Sequence, residues 1–206
     1  PKVKYADEPY DQKTVMRIAQ MQKAIAIIQF KLEAQIINRH PEYKMQDRNM
    51  LHLIDFEKGV LKYGGKEYKL LDTNFPTVDP KDPYKLTVEE QDLMDKINFS
   101  FMNSEKLQKH MRCLYANGSM YKVANGNLLY HASIPLDEKG KFKEVIIGKD
   151  KYAGKALLDR VDQLVRVAYF GEESAPEKIF AQDYMWYLWC GKDAPTFDKS
   201  KMATFE

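Results

Sequence analysis

Four imidazoles, those of His40, His52, His110 and His131, are the side chains in this sequence best suited to hold a metal or move a proton. A neutral ring nitrogen ligates transition metals, and its charge changes near neutral pH. Their surroundings separate them. His40 sits beside Pro41 at a predicted helix end, His52 lies within Leu51-His52-Leu53, and His110 falls on the polar face of a helix; each reads more readily as structural than as a ligand. His131 instead closes an apolar strand, Leu128-Leu129-Tyr130, and is followed by the small residues Ala132-Ser133 and then Pro135. Open α/β sheets assemble ligand sites at strand carboxyl ends, so His131 is the candidate metal ligand, with a simple strand-end cap as the plain alternative. One histidine holds no catalytic metal alone, since zinc takes about three protein ligands and hard cations about six donor atoms. Whatever completes the site lies elsewhere. The sequence has no glycine-rich phosphate loop ending in Lys-Ser/Thr, no G-x-S-x-G elbow and no dinucleotide fingerprint, so ATP-dependent and serine-hydrolase readings lose support. No residue is assignable as a general acid.

The elements that must position these side chains follow from periodicity and punctuation. Asp11 can cap a helix running to about Asn38 and stopped by Pro41, a rod of roughly 40 Å. Val15, Ile18, Ile25, Leu32 and Ile36 make one stripe, while Met21, Ala24, Ile27, Ile28 and Phe30 spread apolar surface around the middle, which predicts burial on several sides. Residues 58–71 read as a hairpin around Gly64-Gly65. Pro76, Pro80 and Pro83 mark residues 72–84 as an extended connector. Thr87-Val88-Glu89-Glu90 has capping-box spacing for one helix, and Ser104 can cap a second that ends at Asn117-Gly118. A second hairpin pairs Met120–Val123 with Asn127–Tyr130 around Ala124-Asn125-Gly126. Val145–Ile147 reads as a short strand, and 154–170 as a helix with Leu157, Leu158, Val161, Leu164, Val165 and Ala168 inward. The aromatic run Tyr184–Trp189 leads into a polar tail. The expected fold class is mixed α and β, helix-dominant: residues 1–117 a mainly helical region with one β-hairpin, and 118–206 part of a layered α/β core.

Composition narrows the function. Thirty-two basic against thirty acidic residues leave a net +2, with both signs interspersed, so no nucleic-acid partner is expected. The longest apolar run, Ala24–Ile28, is far short of a membrane span and no leader opens the chain. Cys113 and Cys190 match neither a disulfide framework nor a zinc motif, which suits a reducing, cytoplasmic setting. The start at Pro1 and the end at Glu206 suggest a piece of a longer protein. The bare middle of the first helix predicts exposed apolar surface and possible self-association.

Several stretches are familiar. Tyr5-Ala6-Asp7-Glu8-Pro9-Tyr10, Met21–Glu33, Asp72–Asp79, Ser104–Gln108, Asn127–His131, Trp186–Trp189 and Lys201–Glu206 together resemble, in the same order, the class III fructose-1,6-bisphosphatases of Firmicutes and related bacteria. That family is similar to the calcineurin-like metallophosphoesterases. The resemblance implies a hydrolase of carbohydrate metabolism that removes the 1-phosphate of fructose 1,6-bisphosphate in gluconeogenesis. It also implies paired divalent metals, manganese by preference, and a metallophosphoesterase layering for residues 118–206. The family's Gly-Asp-x-x-Asp-Arg-Gly, Gly-Asn-His-Asp/Glu and closing Gly-His motifs are absent from this sequence, so the chain is expected to be an internal piece that is inactive alone. Only the strand-end histidine carries over, onto His131, and the Gly-Cys that usually follows it is Ala132-Ser133 here. Trp189-Cys190-Gly191 resembles a tryptophan-containing turn of such phosphatases, though core packing is the stronger reading. Lys199 or Lys201 is the guess for a phosphate contact. The competing class is a non-catalytic helical module, residues 1 to about 117, used for assembly or regulation.

Overall fold

The computed structural model describes residues 11–197. Tyr5–Tyr10, Lys199 and the Lys201–Glu206 segment therefore lie outside the described residues. Helix outweighs strand among those described, with five helices and three small antiparallel sheets. The chain forms two compact units that divide between Asn98 and Phe99.

In the first unit, α1 (Gln12–Arg39) begins where the Asp11 carboxylate accepts the Thr14 backbone N–H at 2.9 Å and ends at His40, whose N–H returns to the Ile36 and Ile37 carbonyls. Its buried side is Ile27, Ile28, Lys31, Ala34 and Ile37, not the predicted stripe. Met21 and Ile25 are exposed, so the apolar burial of the helix is concentrated in its carboxyl half. Three single 3-10 turns lead to β1 (Ile54–Asp55), β2 (Val60–Tyr63) and β3 (Lys66–Lys69), ordered β1-β2-β3. Gly64 and Gly65 both have positive φ, 57° and 75°, as a two-residue type I′ hairpin turn requires. The extra strand β1, with Ile54 opposite Leu61, is two residues long and so carries no alternation to read in the sequence. Ile27, Leu51 and Val78 form a buried cluster with Phe30, Ile54, Phe56, Phe75 and Tyr84 packed around it.

The proline-rich connector has no ladder to satisfy its carbonyls, and α1 supplies the donors. Lys23 donates to the Asp72 carboxylate at 2.6 Å and to the Asn74 carbonyl. Lys31 donates to the Thr77 carbonyl at 2.5 Å and Gln35 to the Tyr84 carbonyl at 2.8 Å. Spacings of eight and four residues keep the three donors on one helix face. The fully buried Lys31 also meets Glu90 at 2.7 Å. Glu90 closes the capping box of α2 (Val88–Met102): its carboxylate accepts the Thr87 N–H at 2.9 Å, and its own N–H donates to the Thr87 hydroxyl at 3.2 Å.

In the second unit, α3 (Glu105–Asn117) has Ser104 at its N-cap position as read from the sequence, though its hydroxyl makes no capping hydrogen bond. Then come β4 (Tyr121–Ala124), β5 (Asn127–Tyr130), β6 (Val145–Ile147), β7 (Asp150–Tyr152), α4 (Gly154–Phe170) and α5 (Pro176–Cys190). Strands pair only as the hairpins β4-β5 and β6-β7. The core joins α4, through Leu157, Leu158, Val161 and Leu164, to α5, through Ala181, Tyr184, Tyr187 and Leu188. The aromatic run is thus helical. Pro176 opens that helix and Gly191 follows it, while apolar residues on several sides blur the 3.6-residue stripe that would have revealed it. Tyr184, Tyr187 and Cys190 pack inward, but Trp189 is exposed.

Burial pushes the Glu90 carboxyl up, but hydrogen bonds from Lys31, the Thr87 N–H and the Thr77 side chain, with the Lys31 charge, hold it below its ordinary value of 4.5. Glu90→Gln strands a buried ammonium and should cost about 3–5 kcal/mol in urea unfolding of the chain, whereas the double change Lys31→Met/Glu90→Leu should recover most of it. A carboxyl held low in the folded state gives stability that is complete above the ordinary value of 4.5 and lost as pH falls through the folded value. The wild-type urea midpoint should fall in that acidic window, and the double variant should lack this component.

Candidate metal and phosphate site around His131

The hairpin carrying His131 is fixed to α4 by charge. Where α3 ends, Arg166 donates to the carbonyls of Tyr115, of Ala116 at 3.4 Å and of Gly118 at 2.8 Å, while Asp162 one turn back accepts from its Nε at 3.1 Å. Last-turn carbonyls lack intrahelical partners, and a planar guanidinium can serve several at once. The Ser119 hydroxyl then donates to the Tyr121 carbonyl at 2.6 Å. The Tyr121 hydroxyl donates to Asp159 at 3.0 Å, and Asp159 takes Lys155 at 2.5 Å. Hydrogen bonds from Lys155 and Tyr121 hold the Asp159 carboxyl below the usual range, and its bond to Asp159 raises Lys155.

Asn125 and Gly126, at φ 53° and 77°, make the turn that sets the register Tyr121↔Tyr130, Lys122↔Leu129, Val123↔Leu128 and Ala124↔Asn127. His131 follows the last pair. Beyond it the Ser133 N–H donates to the Pro195 carbonyl at 3.0 Å, tying this loop to the segment after α5. His131 is exposed and lines a pocket of about 310 Å³ with Ser119, Lys122, Leu129, Tyr130 and Thr196 among its walls. The expectation that strand 127–130 lies inside a sheet is corrected: β5 pairs with β4 alone and its four residues are exposed. Two strands cannot form the switch point of an open α/β sheet, so that argument for His131 does not apply to this unit by itself.

The other histidines are engaged or isolated. His40 Nδ1 lies 3.0 Å from Glu42 and its ring stacks on Tyr43. His52 Nδ1 lies 2.5 Å from the Tyr84 hydroxyl, and His110 is exposed on α3. Among the described residues no three His, Cys, Asp or Glu side chains come together as a metal site. The His131 pocket has neither carboxylate nor thiol in its lining. The donor set therefore fits a metal only as a single imidazole to which other ligands must be added. A second, largely apolar pocket of about 390 Å³ lies in the first unit between Ile27, Ile28, Phe75, Pro76 and Leu93, with Lys23 and Glu90 at its walls already ion-paired. Sequence reading did not single out Lys122, Asp159 or Arg166. Their roles depend on contacts 38 to 51 residues away or on an exposed face that leaves no pattern.

Among the described residues, fold and site define a mixed α/β, helix-dominant segment that places the His131 imidazole at a pocket rim without a complete metal centre. The chain belongs to the Firmicute fructose-1,6-bisphosphatase family, whose profile matches residues 1–206. It is 65% identical over 206 residues to the fructose-1,6-bisphosphatase class 3 of Bacteroides fragilis, covering 100% of this chain and 31% of that protein. The Bacteroides thetaiotaomicron protein of the same name is 63% identical with the same coverage. That of Clostridium novyi is 57% identical over 189 residues, 92% of this chain and 28% of that protein. The chain thus spans about a third of the length of the curated relatives it matches. No solved structure matches it.

Arg166→Met should free three carbonyls at the α3 end and cost about 1–3 kcal/mol in urea unfolding. Hydrogen exchange should then speed up in β4 and β5 before it does in the α4–α5 core.

Proposed function

We propose that the chain is part of a metal-dependent phosphatase that hydrolyses the 1-phosphate of fructose 1,6-bisphosphate to fructose 6-phosphate and phosphate, the gluconeogenic step. The observation that carries this reading is the match along the whole chain, at 55% to 65% identity, to proteins named fructose-1,6-bisphosphatase class 3. His131 is the metal ligand this chain contributes. Its exposed imidazole has no hydrogen-bond partner among the described residues and faces a pocket large enough for a phosphate group. Bound divalent cations, manganese by preference, would neutralise phosphate oxygens and acidify the attacking water. The chain's own residues hold the imidazole: Arg166 and Asp159 anchor the start of the hairpin, Asn125-Gly126 fixes its register, and the Ser133–Pro195 hydrogen bond restrains the loop beyond.

The second unit would be part of a layered metallophosphoesterase core whose remaining strands and ligands lie outside this chain. Cys113 and Cys190 form no disulfide among the described residues, which suits a cytoplasmic setting. No described helix is long and apolar enough to cross a membrane. Exposed Val123, Leu128, Leu129 and Phe142 support self-association of the isolated chain. For the first unit a second reading, a non-catalytic assembly or regulatory module, is favoured by one observation: His40 and His52 are both occupied by neighbours within it.

In the intact protein supplied with manganese, His131→Ala should lower turnover of fructose 1,6-bisphosphate by about 100-fold or more, reduce bound metal, and leave the melting temperature near that of the wild type. Alanine at His40, His52 or His110 should change turnover little; wild-type turnover in His131→Ala would refute the assignment. The 206-residue chain alone should show negligible phosphatase activity with manganese, because one imidazole cannot build a two-metal site. Turnover near that of the intact protein would contradict this.

A further inference from the structure

We infer that Lys122 is a phosphate-contacting residue of the His131 pocket, its ammonium taking a terminal phosphate oxygen of the substrate beside the imidazole. The inference rests on the sugar-phosphatase reading above and adds a residue which that reading does not use. Lys122 is paired with Leu129 in the β4-β5 ladder. His131 follows the end of β5, and Lys122, its ladder partner Leu129 and His131 line the same pocket.

The polar groups around the pocket are accounted for one by one. The Ser119 hydroxyl donates to the Tyr121 carbonyl, the Thr196 hydroxyl to the Leu188 carbonyl and the Tyr121 hydroxyl to Asp159. Lys122, His131 and the Tyr130 hydroxyl remain, lining the pocket with no partner among the described residues. No carboxylate lines it, and Asp159, the acid bound to its wall residue Tyr121, is neutralised by Lys155. Among the described residues the pocket is therefore lined by one lysine ammonium and unengaged polar groups, with no carboxylate to repel an anion. Its volume of about 310 Å³ is roughly that of ten waters, room for a phosphate and part of the sugar. Lysine binds phosphate as a mobile point charge. By contrast, Lys23, Lys31, Lys143, Lys155 and Lys178 are each held by a carboxylate at 2.5 to 2.7 Å.

The test uses the intact, manganese-loaded protein, with inorganic phosphate binding followed by calorimetry and metal content by elemental analysis. Lys122→Met should weaken phosphate binding about tenfold at unchanged metal content and melting temperature, and Lys122→Arg should keep most of the affinity. A Lys122→Met protein that binds phosphate within about twofold of the wild type overturns the inference. His131→Ala separates the two readings. Metal loss there, with wild-type phosphate affinity in Lys122→Met, sinks the Lys122 inference alone. Undiminished metal there, with weakened phosphate binding in Lys122→Met, sinks the metal-ligand reading and supports the Lys122 contact.

Discussion

Between Asp72 and Tyr84 the chain has three prolines and no strand ladder; local turns satisfy the Phe75, Asp79 and Asp82 carbonyls, while those of Asn74, Thr77 and Tyr84 take donors from another element. α1 provides them with Lys23, Lys31 and Gln35. The demanding member is Lys31, which is fully buried. Taking an ammonium out of water costs several kcal/mol unless it is paired and hydrogen-bonded, and Lys31 meets both conditions through Glu90 and the Thr77 carbonyl. Glu90 is in turn fixed by the capping box at the start of α2. One buried ion pair therefore joins the long helix, the connector and the next helix start. The apolar cluster of Ile27, Leu51 and Val78 forms beside a geometry already set by polar groups.

The second unit holds its hairpin by a related device. β4 and β5 leave most of their side chains exposed, so apolar burial contributes little to their position. Arg166 on the α3 carbonyls and Asp159 on Tyr121 do that work instead, both from α4, whose own inner face is packed against α5. A rigid helix pair thus carries a lightly packed hairpin on charged struts. Such a hairpin depends on its anchors for local stability, because it has few buried contacts of its own.

The same struts shape the electrostatics of the pocket. Asp159 spends its charge on Lys155 and Tyr121, and the remaining pocket groups are donors or an imidazole. The chain spans about a third of the length of its curated relatives, and among the described residues no three His, Cys, Asp or Glu side chains come together as a metal site.

Local chemistry was legible in the sequence. Asp11 announced the start of α1, Thr87-x-x-Glu90 the start of α2, Gly154 and Phe170 the bounds of α4, and Gly64-Gly65 and Asn125-Gly126 the two turns needing positive φ. These are interactions between residues a few positions apart, so spacing alone specifies them. The family was legible too, because its resemblance runs along the whole chain. Only the tertiary structure decided which faces meet. The pairing of Lys31 with Glu90, 59 residues away, and the packing of the helix formed by the aromatic run against α4 depend on distant partners, whereas β1 and β7 pair with near neighbours but are too short to leave a pattern. A long-range contact is set by the packing of whole elements, and a single sequence records that packing only as composition.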